Sequence, residues 1–134
     1  RRSSDLVAQA HDFITSLEHG YDSHVAQGGN NLSGGQKQRL SIARALIRKP
    51  EIYIFDDSFS ALDFKTDARL RRALKSEIGS STVIIVAQRI STIMDADRII
   101  VLDDGKIVDI GGHEELMKSC DVYKQIAASQ LSEA

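Results

Sequence analysis

Residues 82–87, Thr-Val-Ile-Ile-Val-Ala, carry the strongest structural signal in the chain. The run is rich in β-branched side chains, and no polar residue alternates with the apolar ones after Thr82. A strand of this kind is typical of a parallel sheet that is buried on both faces. A second apolar run, Ile52 to Phe55, ends on the carboxylates of Asp56 and Asp57. Because a helical pattern separates the two runs, the sequence predicts an α/β fold with parallel strands.

Three helices are predicted from apolar residues that recur every three or four positions. The first begins at Ser3-Ser4-Asp5 and ends near Gly20, the second covers residues 34–49, and the third covers residues 63–78. Their apolar stripes are Leu6, Ala10, Phe13, Ile14 and Leu17, then Leu40, Ala43, Leu46 and Ile47, then Leu70, Leu74 and Ile78.

The C-terminal part of the chain predicts a hairpin followed by two short helices. Asp103-Asp104-Gly105 lies between two apolar runs, residues 98–102 and 106–110. Asp-Gly between such runs favours a tight hairpin turn. Residues 113–120 and 122–128 then predict the two helices.

Composition excludes several classes of function. The net charge of −2 over 134 residues gives no global attraction to nucleic acid or to anionic lipid. Cys120 is the single cysteine, so no disulfide forms within the chain. The longest apolar run, residues 83–87, is far shorter than the roughly 20 residues of a membrane span. The four histidines have no metal-ligand spacing.

Ser33-Gly34-Gly35 stands where the second predicted helix begins, which is a place where anions bind well. The first-turn N–H groups lack partners within the helix, and the macrodipole makes that end positive. Two glycines would let a phosphate approach the backbone, and the Ser33 hydroxyl could donate to it. The alternative is that Ser33 is only an N-cap and the glycines only a turn. The residues alone leave both interpretations open.

A phosphate-binding chain usually has a P-loop, Gly-x-x-x-x-Gly-Lys-Ser/Thr, and this sequence has none. Gly105-Lys106 is the only Gly-Lys pair, and Ile100 stands where the first glycine would be. The helix start at Ser33 therefore cannot be half of a nucleotide site completed within these residues.

The order of several motifs resembles the ATP-binding-cassette (ABC) ATPases. Residues 32–36, Leu-Ser-Gly-Gly-Gln, match the signature of that family. Residues 52–56 resemble its Walker B strand, residues 60–63 its D-loop, and residues 82–89 the strand that leads to its switch position. Residues 20–22 and 105–116 resemble exporter-type cassettes. The resemblance covers nearly the whole chain.

The resemblance implies ATP and Mg²⁺ as cofactors and assigns the site residues. Asp56 would bind Mg²⁺, while Asp57 and Gln88 would occupy the catalytic positions nearest the reacting phosphate. The implied nucleotide-binding residues are Ser33, Gly34, Gly35, Gln36, Ser60, Ala61 and Asp63.

The resemblance also implies a partial P-loop NTPase (RecA-like) core. Residues 1–49 would be the end of a helical subdomain, and residues 50–134 the C-terminal half of the ATPase core. Two cassettes of this family pack head to tail, so the signature would contact ATP held by a partner cassette. Transmembrane domains of the same transporter would be further partners, at the cytoplasmic face of the membrane, and ATP use would power export.

Two residues depart from the family pattern. The family usually has a glutamate where this chain has Asp57, and a histidine where it has Gln88. Aspartate is one methylene shorter, and glutamine cannot carry a positive charge. Together they resemble the degenerate subunit of a heterodimeric exporter. A slow but working homodimer is the alternative.

Two rival functions are a soluble ABC ATPase of DNA-repair type and a non-catalytic interaction fragment. The first usually has a long coiled coil before the signature, and the exporter-like Gly20-Tyr21-Asp22 argues against it. Because no P-loop is present, we expect this chain alone not to hydrolyse ATP. We also expect it to associate with itself, because the strand at residues 82–87 would lack neighbours.

Overall fold

The computed structural model describes residues 2–131. They form two compact units, which divide between Val86 and Ala87. Each unit is described by itself. The predicted division between residues 49 and 50 concerns the subdomains of a larger cassette, and it stays a prediction. Among residues 2–131, no helix is long and apolar enough to span a membrane.

The first unit contains two strands and four helices, joined by loops that include two 3-10 turns at Gly20–Asp22 and Gln27–Gly29. The helices are α1 (Arg2–Val7), α2 (His11–Thr15), α3 (Gly34–Ile47) and α4 (Phe64–Ile78), and the strands are β1 (Ile52–Asp56) and β2 (Thr82–Val86). The strands pair in parallel with Ile52 opposite Thr82 and Asp56 opposite Val86. The mixed α/β class with parallel strands is confirmed.

The single helix predicted from residue 3 to Gly20 is wrong, because the chain turns between α1 and α2. Gln9 adopts a left-handed backbone with φ of 56°. Its carbonyl accepts a hydrogen bond of 2.7 Å from the guanidinium of Arg39 in α3. A tertiary contact thus ends the helix where the apolar period alone continues it.

The core of the first unit lies between α1, α3, α4 and one face of the sheet. Its buried side chains include Ile42, Leu46, Tyr53, Phe55, Phe59, Leu70 and Leu74. The stripe predicted for α4 is confirmed, since Leu70, Leu74 and Ile78 are all buried. In α3 the stripe is shifted, because Ile42 is 2% exposed and Ile47 is 54% exposed.

The second face of the sheet is apolar and exposed, contrary to the prediction that both faces are buried. Ile52, Ile54, Ile84 and Val86 share this face by register, and each is about half exposed or more. Within the described part of the chain, β2 pairs with β1 alone. Self-association through this sheet stays a prediction.

The second unit is a hairpin packed with short helices. It consists of α5 (Ile90–Ile93), β3 (Ile99–Asp103), β4 (Lys106–Gly111), α6 (His113–Ser119) and α7 (Asp121–Leu131). Asp104 and Gly105 have φ of 46° and 71°, as a type I′ turn requires, and the predicted antiparallel hairpin is confirmed. Its core consists of Ile99, Val101, Leu116, Cys120 and Tyr123.

Candidate functional site

The candidate site begins at the first turn of α3, where Ser33 is the N-cap. The Ser33 hydroxyl accepts a hydrogen bond of 3.2 Å from the Gln36 N–H, and the Gln36 side-chain oxygen accepts one of 2.9 Å from the Ser33 N–H. This is a capping box, which satisfies two backbone donors. Ser33 and Gly34 are nevertheless exposed to solvent. The cap is present, and the role of this helix start in binding an anion stays a prediction.

The two glycines of α3 lie directly against the D-loop segment, residues 60–63. A Cβ atom on Gly35 would lie 2.9 Å from the Ala61 carbonyl oxygen, which is too close for any side chain. A Cβ atom on Gly34 would lie 3.4 Å from the Ala61 Cβ atom, which is an ordinary contact. Gly35 therefore allows the helix to approach the D-loop segment, whatever else it does.

We expect Gly35→Ala to destabilise the chain by about 1–3 kcal/mol, because the backbone of Ala61 would have to move. Gly34→Ala is the matched control, and we expect a change within about 1 kcal/mol because the site has room and alanine favours a helix. Urea unfolding of both variants measures the difference. Equal stabilities would show that α3 and the D-loop segment do not pack this closely.

An open cleft lies between the start of α3 and the start of α4, with a volume of about 310 Å³. It brings together most of the predicted nucleotide-binding residues, while Gln36 and Ser60 are outside its lining. Its lining residues are Ser33, Gly34, Gly35, Arg39, Ala61, Leu62, Asp63 and Thr66.

Arg39 fixes one wall of the cleft. Its Nη1 atom donates 2.7 Å to the Gln9 carbonyl, and its Nε atom donates 3.3 Å to the Gly35 carbonyl. The guanidinium carbon lies 4.7 Å from the centre of the Phe13 ring, which is a cation–π contact. Arg39 is thus a half-buried connector between α2 and α3.

Opposite charges line the cleft. Asp63 is the N-cap of α4 and accepts a hydrogen bond of 2.9 Å from the Thr66 N–H. Hydrogen bonding from the Thr66 side chain, and then from the Thr66 N–H, lowers the pKa of Asp63. Burial lowers the pKa of Arg39, and the charges of Asp63 and Asp12 oppose that shift. The Asp63 carboxylate is therefore ionised at neutral pH, and the guanidinium stays protonated as arginine does in proteins.

Asp56 and Asp57 lie at the carboxyl end of β1, and both are exposed. The Asp57 backbone is held firmly, since its N–H donates 2.9 Å to the Val86 carbonyl and its own carbonyl accepts 3.1 Å from Ser60 Oγ. Its φ of 48° is left-handed, which aspartate tolerates better than most residues. The peptide is thus fixed, and the carboxylate remains open to solvent.

Gln38 in α3 is a site residue that sequence reasoning missed. Its Nε2 atom donates 3.1 Å to the Asp57 carbonyl and 3.0 Å to Ser60 Oγ, and its Oε1 atom accepts 3.0 Å from the Ala61 N–H. One amide side chain thus connects α3 both to the acidic turn, residues 56–57, and to the D-loop segment. No periodicity marks this glutamine, because its partners are 19 to 23 residues away.

Gln88 belongs to the second unit, and its side chain is exposed. Its backbone carbonyl accepts a hydrogen bond from the Gln130 side chain in α7.

The acidic residues fit a Mg²⁺ ion only if phosphate supplies the other ligands. Across residues 2–131, no three His, Cys, Asp or Glu side chains gather where they could hold a metal. Mg²⁺ commonly takes one or two carboxylates beside phosphate oxygens and water, and the exposed carboxylate of Asp56 matches that pattern.

Comparison with known proteins agrees with these motifs. A family model described as ABC transporter matches residues 4–60, which include the Ser33 helix start, β1 and Ser60. An uncharacterized ABC transporter ATP-binding protein of Mycobacterium tuberculosis is 53% identical over 124 residues, 92% of this chain and 21% of that protein. Residues 4–60 thus match the ABC transporter family, and most of the chain is similar to ABC transporter ATP-binding proteins.

Its homologues include exporters. The ATP-dependent lipid A-core flippase of Haemophilus ducreyi is 44% identical over 95% of this chain and 22% of its own length. A solved bacterial Atm1-family ABC exporter with ATP bound matches 97% of this chain with a TM-score of 0.91 and 39% identity, and 24% of that exporter is covered. The chain thus spans about a fifth of the length of the curated relatives it matches.

Proposed function

We propose that this chain serves in an ABC exporter as the part of a cassette that presents its signature to ATP held by a partner cassette. The cleft at Ser33 supports this proposal, because it is open and exposes the first turn of a 14-residue helix. The first-turn N–H groups and the positive end of the helix dipole would stabilise a phosphate oxyanion. The exposed Gly34 leaves the backbone of that turn accessible to it.

The acidic turn would work on a second nucleotide, bound on the same cassette. Asp56 would hold Mg²⁺, and Asp57 would polarise the attacking water from a position fixed by Val86 and Ser60. Gln88 would donate a hydrogen bond to the γ-phosphate. Because Asp57 is short and Gln88 is uncharged, this site would bind ATP but turn it over slowly, and the partner's site would do most of the hydrolysis.

In this proposal the chain lies at the cytoplasmic face of a membrane. Closure of the two cassettes around ATP would move the transmembrane domains of the same transporter. The relatives named as an ABC exporter and as a flippase support that direction of work.

The test places a thiol in the cleft of the transporter that contains this sequence. Ser33→Cys gives this chain one exposed thiol, because Cys120, its only cysteine, is 6% exposed. We expect ATP with Mg²⁺ to slow maleimide labelling at position 33 at least about tenfold, since a bound triphosphate would exclude water and reagent from the helix start. Ser80→Cys, in the exposed turn after α4, is the control and should label equally with and without ATP.

Two further variants test whether the ATP that protects position 33 is bound by the partner cassette. Protection at position 33 should disappear when the P-loop lysine of the partner cassette is replaced, and should persist when Asp57 of this chain is replaced by Asn. If position 33 is labelled at the same rate with and without ATP, the proposal that this signature binds ATP held by the partner cassette is excluded.

A further inference from the structure

The side chain of Gln130 in α7 holds the switch segment, residues 87–90, at two backbone atoms. Its Oε1 atom accepts a hydrogen bond of 2.8 Å from the Ile90 N–H. Its Nε2 atom donates a hydrogen bond of 2.5 Å to the Gln88 carbonyl. One side-chain amide therefore bonds to the backbone on both sides of residue 89, with its oxygen accepting from one residue and its nitrogen donating to the other.

The contact at Ile90 replaces a missing helix cap. Arg89 is the N-cap residue of α5, and its side chain makes no capping hydrogen bond. The N–H of Ile90 lies in the first turn, where no acceptor exists within the helix. Gln130 supplies that acceptor from another helix, so the start of α5 depends on α7.

Helix α7, which carries Gln130, is anchored in the core of the second unit. Its Tyr123 side chain is 1% exposed, and the Tyr123 hydroxyl lies 2.9 Å from Nδ1 of His113 in α6. Ile90 and Ile93 of α5 pack against the same hydrophobic cluster as Val122 of α7. The two helices thus share a support, and the amide of Gln130 is fixed relative to the switch segment.

We propose that Gln130 is a positioning residue for the switch, one that sets where Gln88 stands. The proposal rests on the proposed role of Gln88 at the γ-phosphate. The Gln88 side chain is exposed, and its carbonyl is the atom that Gln130 holds. A fixed peptide with a free side chain is what a residue needs to contact a bound phosphate reproducibly.

The contact itself is tested in this chain by amide hydrogen exchange. Gln130→Leu removes both hydrogen bonds, and the Ile90 amide should exchange roughly five- to tenfold faster, the effect of losing one hydrogen bond. Gln125→Leu, the same change at an exposed site on α7, should leave Ile90 unchanged. Gln130→Glu keeps an acceptor and should keep Ile90 slow. Equal exchange of Ile90 in Gln130→Leu and Gln125→Leu would overturn the contact.

The positioning role is tested in the transporter that contains this sequence, by a double-mutant cycle. With the partner's catalytic glutamate replaced so that only this cassette's site hydrolyses ATP, Gln130→Leu should lower turnover several-fold with little change in KM, and it should have no further effect when Gln88 is already Ala. A full effect in the Gln88→Ala background would overturn the proposal, because Gln130 would then act by another route. If Gln88→Ala alone leaves turnover unchanged, the proposed role of Gln88 fails, while the exchange result for Ile90 still stands.

Discussion

Replacing Asp57 with Glu and Gln88 with His together should raise ATP turnover at the site that contains them by on the order of 100-fold. The measurement is single-turnover hydrolysis in the transporter that carries this sequence, with the partner's own catalytic glutamate replaced so that only this site reports. Each single substitution should give part of the gain.

The expected gain has two physical causes, the length of the side chain at position 57 and the charge of the side chain at position 88. Asp57 cannot move toward the water by shifting its backbone, because its N–H and its carbonyl are both hydrogen-bonded. One added methylene is then the available way to bring the carboxylate within about 2.6–3.2 Å of the proton it accepts. A histidine at position 88 could add a positive charge near the γ-phosphate, which a glutamine cannot.

The same substitution should cost some stability. The φ of 48° at position 57 suits Asp better than Glu, so Asp57→Glu should lower the free energy of unfolding by about 0.5–1 kcal/mol. Asp57→Asn is the matched control, because it keeps the length and the backbone preference but removes the base. If the double variant turns over no faster than the parent and Asp57→Asn is no slower, Asp57 and Gln88 are not what limits this site.

Local patterns predicted much of the fold because the contacts they depend on are short in range. The period of Leu70, Leu74 and Ile78 placed one face of α4 in the core, and Asp104-Gly105 fixed the hairpin turn. The N-cap at Ser33 was one of the two interpretations that the sequence left open, and the partner of Ser33 in the cap is three residues away. Each of these features is decided within one turn of the chain.

What could not be predicted depends on contacts between distant residues. The break at Gln9 is set by Arg39, thirty residues away, and no local signal competes with the helical period there. The sequence predicts that the sheet face containing Ile54 is buried, because β-branched residues are typical of strands that pack on both faces. In residues 2–131 nothing covers that face. The roles of Gln38 and Gln130 could not be predicted for the same reason, since their partners include backbone atoms that only the fold brings close to them.

Replacing Gln38 with Leu should lower ATP turnover at the site that contains Asp57 at least about tenfold, measured in the transporter with the partner's catalytic glutamate replaced, and this is a larger effect than its loss of stability explains. The change keeps nearly the same volume and removes three hydrogen bonds, so unfolding of this chain should become easier by about 1–3 kcal/mol. A chain that is still folded would then have an unfixed D-loop segment, and the peptide of Asp57 would lose one of its anchors.

Graded variants separate positioning from stability. Gln38→Glu keeps the acceptor for the Ala61 N–H but loses the donor to the Asp57 carbonyl, so it should protect the Ala61 amide from exchange while turnover still falls. Leu70→Ala is the control for stability, because it weakens the core by about 2–5 kcal/mol and a leucine side chain makes no hydrogen bond to the D-loop segment. Should Leu70→Ala reduce turnover as much as Gln38→Leu does at equal folded fraction, Gln38 contributes packing only. Since Gln38 is bound both to the turn beside Asp57 and to the segment facing Ser33, a specific loss would show that one side chain keeps the two phosphate-facing elements of this cassette in register.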